Sequence, residues 1–476
     1  MRTVLLRSRL PELLRSLPVV VVLIQWGALA LPLTVKAADT AAKGPLRVSA
    51  LHPRYFADPT GRAVYLTGSH TWASLQDMGP GNPPPRFDFA AYLDFLLAHH
   101  HNFIRLWRWE FPEWKEHDQR APFSCTPQPW RRVGPGLALD GAPQYDLDQF
   151  DADYFGRLRS RVEAAGRRGI YVSIMLFEGW GLRFVPGGEK AHPFHPANNL
   201  NHTERDLKEG FKGIDLFTLG APGILSRQEA YVRKVIDTVN DLDNVLYEIA
   251  NESDFSTTDW QYHFIRFIRK DEASRPKQHL VGMTSIGYGV DDWDRLVRSP
   301  ADWISPNPDR FDYKTNPPAA DGTKVIILDT DHLWGVGDGV SWVWKSFLRG
   351  INPVWMDPMG QVSNWEATPT DAEQVRLNMG EALRMAERLD LGVMQPRPDL
   401  ASTMYCLAKP GADYLVYQPI AGQEFTVQLE QGPYQVEWLS PATRKITRGE
   451  LIEAAPVTQS FKAPFDGDAV LYLRRP

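Results

Sequence analysis

The sequence predicts an α/β fold, a (β/α)8 TIM barrel followed by a small antiparallel β-sandwich domain, and three features of the chain predict it. From residue 63 to residue 391, short apolar runs rich in β-formers alternate with helix-length segments, the rhythm of βα units. The clearest run, VLYEIA at 245–250, follows a helical pattern over 226–242 whose apolar residues recur at three- and four-residue spacing. Beyond Leu391 the pattern changes to alternating segments such as DYLVYQP, EFTVQLE, YQVEWLS and DAVLYLR, divided by Gly, Pro and Asp turns.

In order, the barrel strands are expected at 63–67, 102–107, 170–176, 244–250, 279–284, 302–305, 324–328 and 353–356. Helical periodicity falls between them at 87–100, 152–168, 226–242, 258–274, 291–298, 339–348 and 370–389. The sixth unit is the exception, because NPDRFDYKTNPPAADG shows no helical pattern. The expected organisation is a targeting segment at 1–37, a barrel at 38–391, a Pro-punctuated linker at 392–400 and a β-domain at 401–476.

The targeting segment is read from Arg2, Arg7, Arg9 and Arg15 ahead of an apolar stretch to about Leu33, with the small residues of Val35, Lys36 and Ala37 suited to cleavage. An uncleaved N-terminal anchor is the alternative, and either places the remaining chain outside the cytoplasm, secreted or periplasmic. With 43% hydrophobic and 23% charged residues the chain can bury a large core. A net charge of -6 without a long basic run argues against nucleic acid as partner. Cys125 and Cys406 are read as free; no metal site and no cofactor are expected, and oligomeric state leaves no signal. The run His99–His101 is read as the polar end of a helix.

In a barrel of this kind, residues that close the strands form the active site. Here they are His70, Arg105, Trp107, Trp109, Glu110, Glu178, Trp180, Asn251, Glu252, Asp329, Asp331, His332, Trp334, Trp355 and Asp357, with Trp72 two residues past His70. Tryptophan faces cover the C–H side of a sugar ring while Asn, Arg, His and Asp serve its hydroxyls, so the mixture points to a carbohydrate cleft. His70 and Glu178 could equally brace loops, Glu248 is read as a member of a structural ion pair, and Arg105 could equally be a salt bridge that closes the barrel.

YEIANES resembles the fourth-strand motif of the clan A retaining glycoside hydrolases, of which family five is the best known, and NFIRLW resembles their second-strand segment. The resemblance implies Glu252 as general acid/base, Asn251 as ligand of the hydroxyl beside the reacting carbon, and Arg105 as support for the nucleophile. It also requires a seventh-strand Glu, where this chain has KVIILDTDHLWG. Asp329, directly after the apolar strand, is the first choice for the second carboxylate and Asp331 the second, with His332 as a tuning or binding neighbour. Because Asp is one methylene shorter, retention would need a displaced backbone to keep the carboxyls about 5–5.5 Å apart. The sixth strand lacks the family's His and Tyr, which Tyr313 or His332 could replace.

The expectation is therefore an exported glycosidase with Glu252 protonated and Asp329 or Asp331 ionised. Alternatives are a lyase or transglycosylase in the same cleft, or a non-catalytic carbohydrate-binding protein on a degenerate barrel. Long loops at 108–150 and 177–225 favour an exo-acting or short-oligosaccharide cleft. Alternating aromatics at Tyr405, Tyr414, Tyr417, Tyr434 and Trp438 favour a structural C-terminal domain.

Overall fold

The computed structural model describes residues 41–476 except 115–121, 209, 288, 358–370 and 456, so the targeting segment at 1–37 lies outside the described residues. Among the described residues no helix is long and apolar enough to cross a membrane.

Eight parallel strands form the barrel: β1 (Gly68–His70), β2 (Phe103–Leu106), β3 (Tyr171–Glu178), β4 (Val245–Asn251), β5 (Leu280–Thr284), β6 (Trp303–Ser305), β7 (Val325–Asp329) and β8 (Asn352–Met356). The hydrogen-bonded order runs from β2 through β8 to β1. At the β1–β2 seam the Asn102 side chain accepts from Thr67 N at 2.9 Å and the Asn102 N–H donates to Thr67 O at 3.0 Å. Gly68 is required there, since a Cβ would run into the carbonyl of Phe103.

The first strand departs from the expectation at 63–67. Ala63–Val64 instead pairs with Phe56–Ala57 in a small antiparallel sheet, and the barrel strand begins at Gly68. Its Gly-Ser-His sequence has little β-propensity; pairing of Gly68, Ser69 and His70 with Val354, Trp355 and Met356 fixes it as strand. The remaining strands fall within a few residues of their expected places, and the β6–β7 connection carries no helix.

Helices Phe89–Ala98 and Ala152–Gly166 start where Asp88 and Asp151 accept hydrogen bonds from first-turn N–H groups. Helix Pro222–Val239 turns Tyr231, Val232, Val235, Ile236 and Val239 toward the barrel core. The segment expected as a long loop after β2 contains strands: Phe123–Thr126 pairs with Asp77–Pro80 and Glu113–Trp114, and Trp130–Leu137 pairs with Pro143–Phe150. These strands lack clean alternation, which hid them in the sequence.

C-terminally, a six-stranded antiparallel sheet packs with the pair Phe425–Gln428 and Thr458–Phe461. Gln395–Pro396, inside the expected linker, is its edge strand. Along Asp413–Gln418 the period of two divides the side chains: Tyr414 and Val416 enter the domain's own core, Leu415 and Tyr417 the barrel's. Tyr405 Oη donates to Asn316 Oδ1 at 2.8 Å and Arg444 to Gln374 at 2.8 Å across the same boundary. Cys125 and Cys406 are both free and buried.

Candidate active site

Strands β2, β4 and β7 bring their polar residues to one end of the barrel around Arg105. The guanidinium is buried and all five of its N–H donors are used: Nε and Nη2 reach Glu248 at 2.9 and 2.5 Å, and Nη2 reaches Asn251 Oδ1 at 2.9 Å. Nη1 reaches Asp329 at 2.9 Å and Asp331 at 3.1 Å. The guanidinium carbon lies 5.0 Å from the Trp107 ring centre. The ion pair with Glu248 links β2 to β4 inside the barrel, and the same cation holds both candidate aspartates.

The aspartates differ in place. Asp329 is 1% exposed and is held by His70 Nε2 at 2.8 Å, by Arg105, and by the N–H of Asp331 at 3.0 Å. Asp331, 9% exposed, lines the cleft, and Asp329 does not. Buried as it is, Asp329 is held well below the usual carboxylate range by His70 and Arg105. Burial pushes Asp331 up to about 6 against the pull of Arg105, with Asp329 adding to the rise.

The cleft is lined by Trp72, Trp107, Trp109, Trp180, Asn251, Glu252, Asp331, Trp334 and Met356. Its wall is thus five indoles and a thioether, broken by one amide and two carboxyls. Glu252 follows the end of β4 with φ +40°, a left-handed conformation that non-glycine residues occupy at a cost of about 1–3 kcal/mol. Burial first, then Asp331 and Glu178, raises its carboxyl well above the usual range, while Arg183 and Arg105 pull the other way. Of the charged groups facing Glu252, Asp331 acts most strongly.

Asn251 has its orientation set from behind. Its Oδ1 accepts from Arg105 and from His332 Nε2 at 3.1 Å, and the other ring nitrogen of His332 meets Ser305 Oγ at 2.8 Å. Burial and Arg105 lower His332 to about 3, so the ring is neutral and its single proton sits on Nε2. With Oδ1 so engaged, the Asn251 amide has its NH2 for the cleft. Of the two residues considered for the polar groups absent from the sixth strand, His332 contacts Asn251, whereas Tyr313 is buried against Trp293 and Phe311.

Several residues expected at the substrate lie behind the wall. His70 is fully buried, stacked 5.9 Å from Trp107, and braces Asp329. Glu178 is fully buried and accepts from Trp180 N at 2.6 Å and Gly181 N at 3.0 Å, at the start of the short helix Trp180–Phe184. Trp355 is packed under Arg376, whose guanidinium also forks onto Asp357 at 2.6 and 2.8 Å. Strand parity explains this: Trp355 and Asp357 share one face of β8 and Met356, unremarked in the sequence, takes the other. Among the described residues, no group of three or more His, Cys, Asp or Glu is arranged to hold a metal ion.

No protein-family model and no curated protein matches the sequence. Solved structures do match the fold. A Bacteroides vulgatus protein described as a glycoside hydrolase superposes with a TM-score of 0.62 at 15% identity, over 90% of this chain and 82% of that one. A family 5 glycoside hydrolase from the same organism gives 0.57 at 13% identity, over 90% and 93%. A third glycoside hydrolase gives 0.53 at 13% identity, over 90% and 97%. The chain has the clan A (β/α)8 fold of these glycoside hydrolases.

Proposed function

We propose that this chain is a retaining glycoside hydrolase acting on an uncharged sugar, with Glu252 as acid/base and Asp331 as nucleophile. The observation that carries the reading is the placement of Glu252 and Asp331 in one indole-walled cleft beside Asn251. Tryptophan faces suit the C–H side of a pyranose ring. The two acidic groups disfavour an anionic sugar, since the guanidinium beneath them is spent on protein acceptors.

Chemically, Glu252 donates its proton to the glycosidic oxygen as that bond breaks, and Asp331 attacks the anomeric carbon from the opposite face. Water then displaces Asp331 while Glu252 takes back a proton. Asp331 stands two residues beyond the end of β7, and this step out of the strand supports compensation for the shorter aspartate. Both carboxyls line the same cleft, as a two-carboxylate mechanism needs. Glu248 and Asp329, the latter braced by His70, fix Arg105, which keeps Asp331 ionised at neutral pH. Asn251 binds the neighbouring sugar hydroxyl. The basic and apolar segment at 1–37 supports action outside the cytoplasm.

A hydrolysis screen over neutral oligosaccharides and aryl glycosides tests the reading. Turnover that disappears in both Glu252→Gln and Asp331→Asn, with sugar binding kept, supports it; sugar binding without turnover in the wild-type protein contradicts it.

A further inference from the structure

Glu252 is held in its unusual backbone conformation from outside its own strand. Arg183, in the short helix Trp180–Phe184 after β3, donates through Nη1 to Glu252 O at 3.1 Å, to Ser253 O at 3.1 Å and to Ile286 O. Its Nε lies 3.9 Å from Asp254 Oδ2, and its guanidinium sits 4.6 Å from the ring centre of Phe184. One cation therefore ties the loops after β3, β4 and β5 at the acid/base.

The contact is tight on the neighbouring side as well. A Cβ on Gly179 would stand 2.6 Å from Ser253 Cα, and one on Gly287 would stand 3.6 Å from Arg183 Nη1 and 3.7 Å from Glu252 Oε2. A residue at φ +40° relaxes unless its surroundings over-determine it. Among the described residues, the acceptors of Arg183 Nη1 are these backbone carbonyls, and it does not line the cleft.

We infer that Arg183 is a positioning residue for the acid/base: by gripping the carbonyls of Glu252, Ser253 and Ile286 it fixes the backbone that aims the Glu252 carboxyl at the glycosidic oxygen. This rests on the catalytic role proposed for Glu252. A positioned acid matters in proportion to how much the leaving group needs a proton. The charged groups around Glu252 are Asp331 and Glu178, which raise its proton affinity, and Arg183 and Arg105, which lower it. Loss of the Arg183 charge moves deprotonation of Glu252 to higher pH; Arg183→Lys keeps the charge and loses the planar fork.

Phenyl and 2,4-dinitrophenyl pyranosides of neutral sugars are the probes. In Arg183→Met, kcat/KM should fall about 100-fold on the phenyl glycosides and less than about threefold on the dinitrophenyl ones, with the basic limb of the pH profile displaced upward. Arg183→Lys should show the same leaving-group dependence with the basic limb near its wild-type position. Equal losses on both leaving groups would overturn the inference, because a general structural defect ignores leaving-group basicity. A crystal structure of Arg183→Met decides independently of substrate: Glu252 leaving the positive-φ region supports the role, and φ staying near +40° overturns it. Wild-type protein that hydrolyses none of these glycosides counts against the catalytic reading of Glu252, and the crystal structure still judges Arg183.

Discussion

Arg105 Nη1 donates to Asp329 at 2.9 Å and to Asp331 at 3.1 Å, so one nitrogen joins a buried brace to a carboxylate that faces the cleft. Asp329 ends β7 and Asp331 lies in the turn that follows, so the two sit at different depths, and their exchange for asparagine should separate them.

Asp331→Asn should lower kcat by about 10³-fold, near 4 kcal/mol of barrier, with the melting temperature little changed. Asp329→Asn should lower the melting temperature as well as activity, because it leaves His70 and Arg105 short of a partner in the interior. Steady-state kinetics beside thermal unfolding checks both.

Arg105→Met should destabilise the fold by about 3–5 kcal/mol, since Glu248, Asp329 and Asp331 would keep buried charge without their shared cation. Urea unfolding measures it, and stability equal to wild type would mean that the hub is dispensable.

Activity should rise as pH climbs through about 6, where Asp331 ionises, and fall at the higher pH where Glu252 loses its proton. The first limb should disappear from any residual activity of Asp331→Asn. A kcat/KM profile from pH 4 to pH 10 reads both limbs.

Burial raises Glu178 to about 8 from an ordinary value of 4.5, so the folded state holds its proton more tightly than the unfolded chain. That contribution to stability is complete below about 4.5 and is lost as pH rises through about 8. Glu178→Gln should therefore gain stability relative to wild type as pH increases over this window, measured by urea unfolding at several pH values.

Truncation after Leu391 should yield insoluble barrel. Leu415, Tyr417, Val470 and Tyr472 belong to the same buried cluster as the barrel helices, and cutting them away exposes that face. Soluble, folded barrel on its own would contradict a structural role for the C-terminal domain.

Much of the fold was legible because a parallel barrel writes itself as apolar runs between amphipathic helices, and the helix-free sixth unit was legible through its Pro and Asp content. Gly68–His70 was not, because nothing in Gly-Ser-His favours a strand until β8 pairs with it. At the site, Asn251 and Glu252 were visible as polar residues ending a buried strand. The choice between Asp329 and Asp331 was not: it depends on a turn in which Asp329 Oδ1 accepts from the N–H of Asp331 and its backbone carbonyl from His332. Trp355 and Asp357 were misplaced by a single step of strand parity. Arg183 was invisible because its partners are backbone carbonyls from two other loops.

The central claim is the pairing of Glu252 with Asp331, and trapping of the covalent intermediate tests it most directly. Incubation with 2,4-dinitrophenyl 2-deoxy-2-fluoro glycosides, followed by proteolysis and mass spectrometry, should place one sugar on the peptide carrying Asp331 and assign it to that residue. A label on Asp329 or elsewhere, or turnover of unmodified glycosides that releases the inverted anomer with no label, would contradict the account.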